Sequence, residues 1–121
     1  MRIGELAKRA NVTPRTIRYY ESIGLLPKPR RGNAQRTYDE VTVERLRKID
    51  QLKALGLELD EIADVIELYF ADPSHRAPKT KVLALLRAHL ADVDHKLAEL
   101  RSLRSDLAHH VKRFERWLAK S

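Results

Sequence analysis

The apolar positions fall into two regimes, short interrupted stripes in the first two thirds and one long unbroken seam in the last third. Ile3, Leu6, Ala7 and Ala10 stand at i, i+3, i+4 and i+7, which predicts a short helix over residues 4–10. Asn11 suits a left-handed C-terminal position. Thr13 then offers an N-cap and Pro14 a first helical residue, with Val12 and Ile17 at hydrophobic-staple spacing. On this second helix Ile17 and Tyr20 share one face, so Tyr20 belongs to the core, while Arg15, Arg18 and Tyr19 point elsewhere. Two short helices so tightly joined predict a helix-turn-helix. Gly24 ends the second, and Leu25 and Leu26 fold back onto the core.

Two further amphipathic stretches predict a helical connector. Asp39 caps the first, whose apolar face is Val43, Leu46, Ile49, Leu52 and Leu55, with Gly56 as its stop. Glu58 and Glu61 hold the cap and third positions of the next, and Leu57 and Ile62 stand at staple spacing. Ile62, Val65, Ile66, Tyr69 and Phe70 line that helix. Asp72-Pro73-Ser74 and Pro78 predict a break.

From about Lys79 to Lys120 there is neither Gly nor Pro. Leu83, Leu86, Leu90, Val93, Leu97, Leu100, Arg104, Leu107, Val111, Phe114 and Leu118 alternate spacings of three and four, a heptad seam with Arg104 its one polar intruder. A helix this long exposes the whole seam unless a partner covers it, and a second copy of the same chain is the simplest partner. A single polar seam position can fix register or orientation.

Charge adds a binding partner to this outline. The chain has 121 residues and a net charge of +7. Residues 1–38 carry Arg2, Lys8, Arg9, Arg15, Arg18, Lys28, Arg30, Arg31 and Arg36 against only Glu5 and Glu21, so the whole excess sits there and the remainder is neutral. Such concentration is the footprint of a nucleic-acid-binding module. Residues 27–38 hold two prolines, a Gly32-Asn33 turn signal and β-compatible Thr37-Tyr38, which predicts a small β-wing carrying Arg30, Arg31 and Arg36 along DNA phosphates or a minor groove.

The residue inventory also excludes chemistry. There is no cysteine, so disulfides and thiolate metal sites are absent. No Gly-rich phosphate loop, His-Glu metal motif or Ser/His/Asp set is present, so no catalytic residue, resident metal or cofactor is expected and the chain does not read as an enzyme. Neither a signal peptide nor an apolar run of spanning length occurs, so no membrane partner and a cytoplasmic location are expected. His75, His109 and His110 read as solvated surface groups, since adjacent helical residues cannot both face one ligand. The alternative function is a coiled-coil adaptor whose basic head binds RNA or an acidic protein.

The residues resemble the MerR family of bacterial transcription regulators. The resemblance rests on Ile3-Gly4-Glu5-Leu6-Ala7, Thr16-Ile17-Arg18-Tyr19-Tyr20-Glu21, Gly24-Leu25-Leu26-Pro27, Arg36-Thr37-Tyr38-Asp39, Leu46-Arg47-Lys48-Ile49, Leu55-Gly56-Leu57 and Leu59-Asp60-Glu61-Ile62. It implies a mainly α fold: a winged helix-turn-helix, a two-helix connector and a long antiparallel coiled-coil dimerisation helix. The corresponding division is a DNA-binding domain over 1–70 (helix-turn-helix about 3–23, wing about 27–38, connector about 40–70), a hinge or effector loop over 71–80, and a dimerisation helix over 81–121. It implies a homodimer on an inverted-repeat operator inside a promoter, acting on RNA polymerase indirectly by distorting the DNA. Carried onto this chain, Arg15, Thr16, Arg18 and Tyr19 would contact DNA from the second helix. Arg30, Arg31 and Arg36 would do so from the wing, with Tyr38 bracing it or touching the backbone. The sequence departs from the metal- and redox-sensing branches, which carry cysteines around the dimer helix. A small apolar effector is therefore expected among Tyr69, Phe70, Phe114 and Trp117.

Overall fold

The computed structural model describes residues 1–27 and 37–120. Among them the helices are α1 (Ile3–Ala10), α2 (Pro14–Ser22), α3 (Glu40–Ala54), α4 (Leu59–Ala71) and α5 (Arg76–Ala119). No strand occurs among the described residues, and the expected wing arginines Arg30, Arg31 and Arg36 lie outside them. The chain divides into two compact units, Met1–Leu86 and Arg87–Ser121.

Local chemistry sets the helix ends. Asn11 closes α1 in the left-handed conformation at φ 56° and ψ 45°. The Thr13 hydroxyl accepts from the Thr16 N–H at 3.1 Å and opens α2, with Pro14 needing no such partner. Asp39 caps α3 in the same way, accepting from the Thr42 N–H at 3.2 Å. Gly56 follows α3 at φ 94°, a conformation that costs glycine nothing. Glu58 and Glu61 form the expected capping box on α4.

In the first unit α1 packs on α2 and on α3, and α3 packs on α4. Leu6, Ile17, Val43 and Ile62 are fully shielded from solvent at its centre. Each such side chain contributes about 1.5–3 kcal/mol through removal from water. Two expected core residues lie outside. Leu55 follows the last turn of α3 and is 54% exposed, because the chain reverses at Gly56 before its side chain can turn inward. Phe70 is 38% exposed, its ring covered by the Arg45 guanidinium at 4.6 Å.

The start of α5 also departs from expectation. Pro78 lies in the first turn, not in a break. First-turn N–H groups have no acceptor within the helix, so a residue lacking one is tolerated there. Asp72 organises this start: its carboxylate accepts from the Ala77 N–H at 2.9 Å, the Ser74 N–H at 3.0 Å and the Ser74 hydroxyl at 2.7 Å. These donors, the Ala77 N–H foremost, hold the Asp72 carboxyl below its ordinary pKa. Pro78 and Val82 are buried and Leu85 and Leu86 partly buried against the first unit's core, all on one face of the helix. Leu86 was expected in the seam, yet part of its surface is used within its own chain. Leu83, off that face, is 47% exposed.

The second unit is helical as far as Ala119, and among its described residues none is buried. Leu90, Val93, Leu97, Leu100, Leu107, Val111, Phe114 and Leu118 are exposed along it, joined by Leu103 and Trp117, which the seam pattern did not include.

Candidate nucleic-acid interface

α2 is fixed from behind and open in front. Behind, Ile17 is 0% and Tyr20 4% exposed, and the Lys53 ammonium donates to the Tyr20 hydroxyl at 3.4 Å. In front, Arg15 and Arg18 are exposed and Tyr19 is 52% exposed. Neither arginine forms an ion pair or hydrogen bond among the described residues. Three residues apart, their Cα atoms are offset by roughly 4.5 Å along the helix axis. Each can grip a guanine edge or a phosphate bidentately, and a tyrosine hydroxyl beside them can donate to phosphate. Thr16 is half-buried, its hydroxyl 3.0 Å from that of Thr13, so it belongs to the helix start as much as to the open face.

Not all the basic residues of the first segment face a ligand. Arg9 pairs bidentately with Glu40, the Nη2–Oε2 contact being 2.6 Å. The shared hydrogen bonds raise the Arg9 pKa and lower that of Glu40. This charge therefore fastens α1 to α3. Nothing in the pattern of residues 1–38 distinguishes Arg9 from Arg2 or Lys8, because its partner lies 31 positions further along. Arg45 and Glu67 do the same between α3 and α4, at 2.6 and 3.0 Å, and lower the Glu67 pKa.

Of the two roles expected for Tyr38, bracing and backbone contact, its placement fits the first: it is 8% exposed and packs with the core. Its hydroxyl lies 3.3 and 3.4 Å from the two carboxylate oxygens of Glu21, a residue only 4% exposed. Its backbone exchanges a pair of hydrogen bonds with Met1, each 2.7 Å. Burying an aromatic ring whose hydroxyl is satisfied is favourable, which explains why Tyr38 turns inward. From there it ties the chain's start and the end of α2 to the entry of α3.

The residues weighed for an effector or metal fall into the two units. In the first, Tyr69 is half-buried, with the Lys48 ammonium 4.5 Å from its ring centroid and the His75 ring edge-on at 5.5 Å. Burial raises the Tyr69 pKa. In the second, Phe114 is 62% and Trp117 70% exposed, and both border an open apolar hollow with Arg113 and Leu118. His109 and His110 touch edge to face at 5.7 Å. Among the described residues no three His, Cys, Asp or Glu side chains are grouped to hold a metal ion. No helix there is long and apolar enough to cross a membrane.

Residues 1–68 match the family model described as MerR HTH family regulatory protein, and residues 43–110 match the one described as MerR, DNA binding. The chain is 36% identical over 111 residues to the HTH-type transcriptional regulator HmrR of Rhizobium leguminosarum bv. viciae, spanning 92% of this chain and 84% of that protein. It is 35% identical over 107 residues to the regulator ZntR of Escherichia coli (strain K12), spanning 88% and 74%. Among solved structures, the transcription regulator PbrR691 from Ralstonia metallidurans CH34, in complex with lead(II), aligns with a TM-score of 0.71 at 44% identity, over 88% of this chain and 82% of that one. HiNmlR, a MerR family regulator bound to promoter DNA, shares the fold at a TM-score of 0.55 and 22% identity, over 84% and 75% of the two chains.

Proposed function

The chain belongs to the MerR family of DNA-binding transcription regulators, and from that premise we propose that it works as a homodimer on an inverted-repeat operator inside a promoter. Each copy lays α2 in a major groove, with Arg15 and Arg18 on base edges or neighbouring phosphates and Tyr19 on the backbone. Arg30, Arg31 and Arg36 add contacts from the segment between α2 and α3. Two copies held by α5 distort the DNA between the half-sites, and RNA polymerase responds to the altered promoter without touching the regulator. The observation that carries this reading is the open face of α2: two arginines without a partner among the described residues, on a helix whose other face is buried.

Among the similar structures, PbrR691 is in complex with lead(II). This chain's donors do not suit such an ion: soft metals select thiolate, and its 121 residues contain no cysteine. The reading that fits its residues is a small apolar effector, for which Tyr69 and Phe70 are the candidate aromatics of the first unit and Phe114 and Trp117 those of the second. Trp117 is the only tryptophan, so its fluorescence reports on that end of α5 directly.

Selection of sites from a random duplex pool, followed by titration of the winner and of a scrambled duplex at one salt concentration, tests the DNA reading. A two-fold symmetric site bound at least about a thousandfold more tightly than the scramble is expected. Equal affinity for the two duplexes overturns it.

A further inference from the structure

We propose that Glu21 is a positioning residue for DNA recognition: its buried carboxylate, engaged by the Tyr38 hydroxyl, couples the contacts proposed for α2 to those proposed for Arg30, Arg31 and Arg36. The inference rests on the DNA reading above. It goes beyond it by assigning an anchor that makes no DNA contact itself, and a consequence, that the two sets of contacts act together. Glu21 stands in the last turn of α2 and is 4% exposed, the one charged side chain buried among the described residues. Ile17, one turn back on α2, and Leu25 and Leu26, just beyond it, are buried and apolar. A carboxylate taken from water costs stability that an apolar side chain at this depth does not. Packing therefore does not account for Glu21. A buried charge with one particular partner instead fixes a single arrangement among those that packing alone allows.

The two flanks of the arginine-bearing segment both meet the last turn of α2. On the near flank the Leu25 and Leu26 N–H groups donate to the Tyr20 carbonyl, at 2.9 and 3.2 Å. On the far flank the Tyr38 hydroxyl lies 3.3 and 3.4 Å from the two carboxylate oxygens of Glu21. The near tie is made by backbone N–H groups, which almost any sequence supplies. The far tie needs these two side chains. Arg15 and Arg18 stand on the same helix as Glu21. Loosening Tyr38 from Glu21 frees the far flank while Arg15 and Arg18 stay in place, so the two sets of contacts cease to reinforce each other.

Paired substitution in the full chain tests this, with affinity for the selected operator titrated at several salt concentrations and melting followed by circular dichroism. Glu21→Met with Tyr38→Phe replaces both partners by apolar groups of similar shape, a change that costs little stability. The double variant should melt near the unmodified chain, yet bind the operator at least about tenfold more weakly and with a shallower salt slope. Arg30→Ala, Arg31→Ala and Arg36→Ala together should also weaken binding. Added to that triple variant, the double substitution should cause no further loss; added to Arg18→Ala, it should cause its full loss. A loss smaller than about tenfold overturns the coupling. So does a loss that multiplies in full with the triple variant, which is what a merely structural role gives. Tyr38→Phe alone, which keeps the ring and removes only the hydroxyl, goes through the same comparisons if the double variant unfolds. If the triple variant binds as the unmodified chain does, the contacts proposed for Arg30, Arg31 and Arg36 fall, and the coupling with them. If the triple variant is weakened and the double variant is not, those contacts stand and the coupling does not.

Discussion

Ile49 and Leu97 are side chains of equal size, each on the apolar stripe of a helix, yet Ile49 is 1% exposed and Leu97 43%. The difference lies in what each stripe can reach. α3 is 15 residues long and finds α1 and α4 within its own chain, so its stripe closes there. α5 is 44 residues long, and its apolar face changes along its length. Pro78, Val82, Leu85 and Leu86 close on the first unit's core, whereas the seam from Leu90 onward stays open. An isolated helix gains little from propensity alone and takes its stability from packing. The two regions therefore obey one rule with different outcomes: the same chain covers the stripe of α3, and the proposed second copy would cover the seam of α5.

The largest effect should come from breaking the open side. Leu97→Glu removes a leucine from both copies, each contributing about 1.5–3 kcal/mol when buried. It also places two carboxylates in an apolar seam. The dimer's dissociation constant should rise by roughly a hundredfold or more, read by sedimentation, while the first unit keeps its folded signature. A dimer of unchanged affinity would refute the seam. The reverse experiment is Ile49→Ala. Truncation at so buried a site costs about 2–5 kcal/mol. The melting temperature of the first unit should fall by many degrees, with the helical signal of α5 retained where the dimer persists. A melting curve that shifts as much for Leu97→Glu as for Ile49→Ala at high protein concentration would show that the two regions are not separable in this way.

How much of this was legible in the sequence follows from the range of each interaction. The ends of α1 to α4 are set by residues within three or four positions, and Thr13, Asp39, Gly56 and the Glu58–Glu61 pair announced them. The stripes behind α2 and α3 were readable for the same reason. Contacts between distant residues were not. Arg9 looked like one more cation for DNA, and only the fold brings Glu40 to it. Tyr38 looked like part of a basic segment, and only the fold sets it on buried Glu21. Pro78 was misread for a local reason: proline breaks a helix interior but suits its first turn, and the Asp72 cap places that turn two residues earlier. Leu86 was legible only in part, because a heptad count cannot tell a face turned to its own core from one turned to a partner.

A smaller effect is expected where neither kind of burial is touched. Arg18→Ala alters an exposed side chain, so melting temperature and dimerisation should not change. Operator affinity should fall by about 1–3 kcal/mol if the guanidinium reads a base, and the loss should be concentrated at one base pair of each half-site. If Arg18 instead grips phosphate, affinity should fall equally on every sequence and the salt dependence should become shallower. Unchanged operator affinity would remove Arg18 from the interface. On the homodimer reading the loss per dimer should be close to twice that per half-site, which separates the DNA contact from an indirect effect on a single subunit.

The smallest expected effect sharpens the comparison most finely, because it falls on the start of α2 and touches neither stripe. Thr13→Ala removes the acceptor of the Thr16 N–H, a bond of 3.1 Å at the start of α2. The lost cap costs about 1 kcal/mol. α2 should still form, since Ile17 and Tyr20 remain buried and Pro14 still sets the first turn. The prediction is a melting temperature lowered by a few degrees with the dimer intact, together with weaker operator binding. The binding loss should be no larger than the stability loss, because the open face of α2 is unaltered once the helix is folded. A much larger loss of binding than of stability would mean that the Thr13 hydroxyl, or the Thr16 hydroxyl 3.0 Å from it, contacts the DNA itself. An unchanged melting temperature would mean that packing behind α2 sets the start of the helix without the cap.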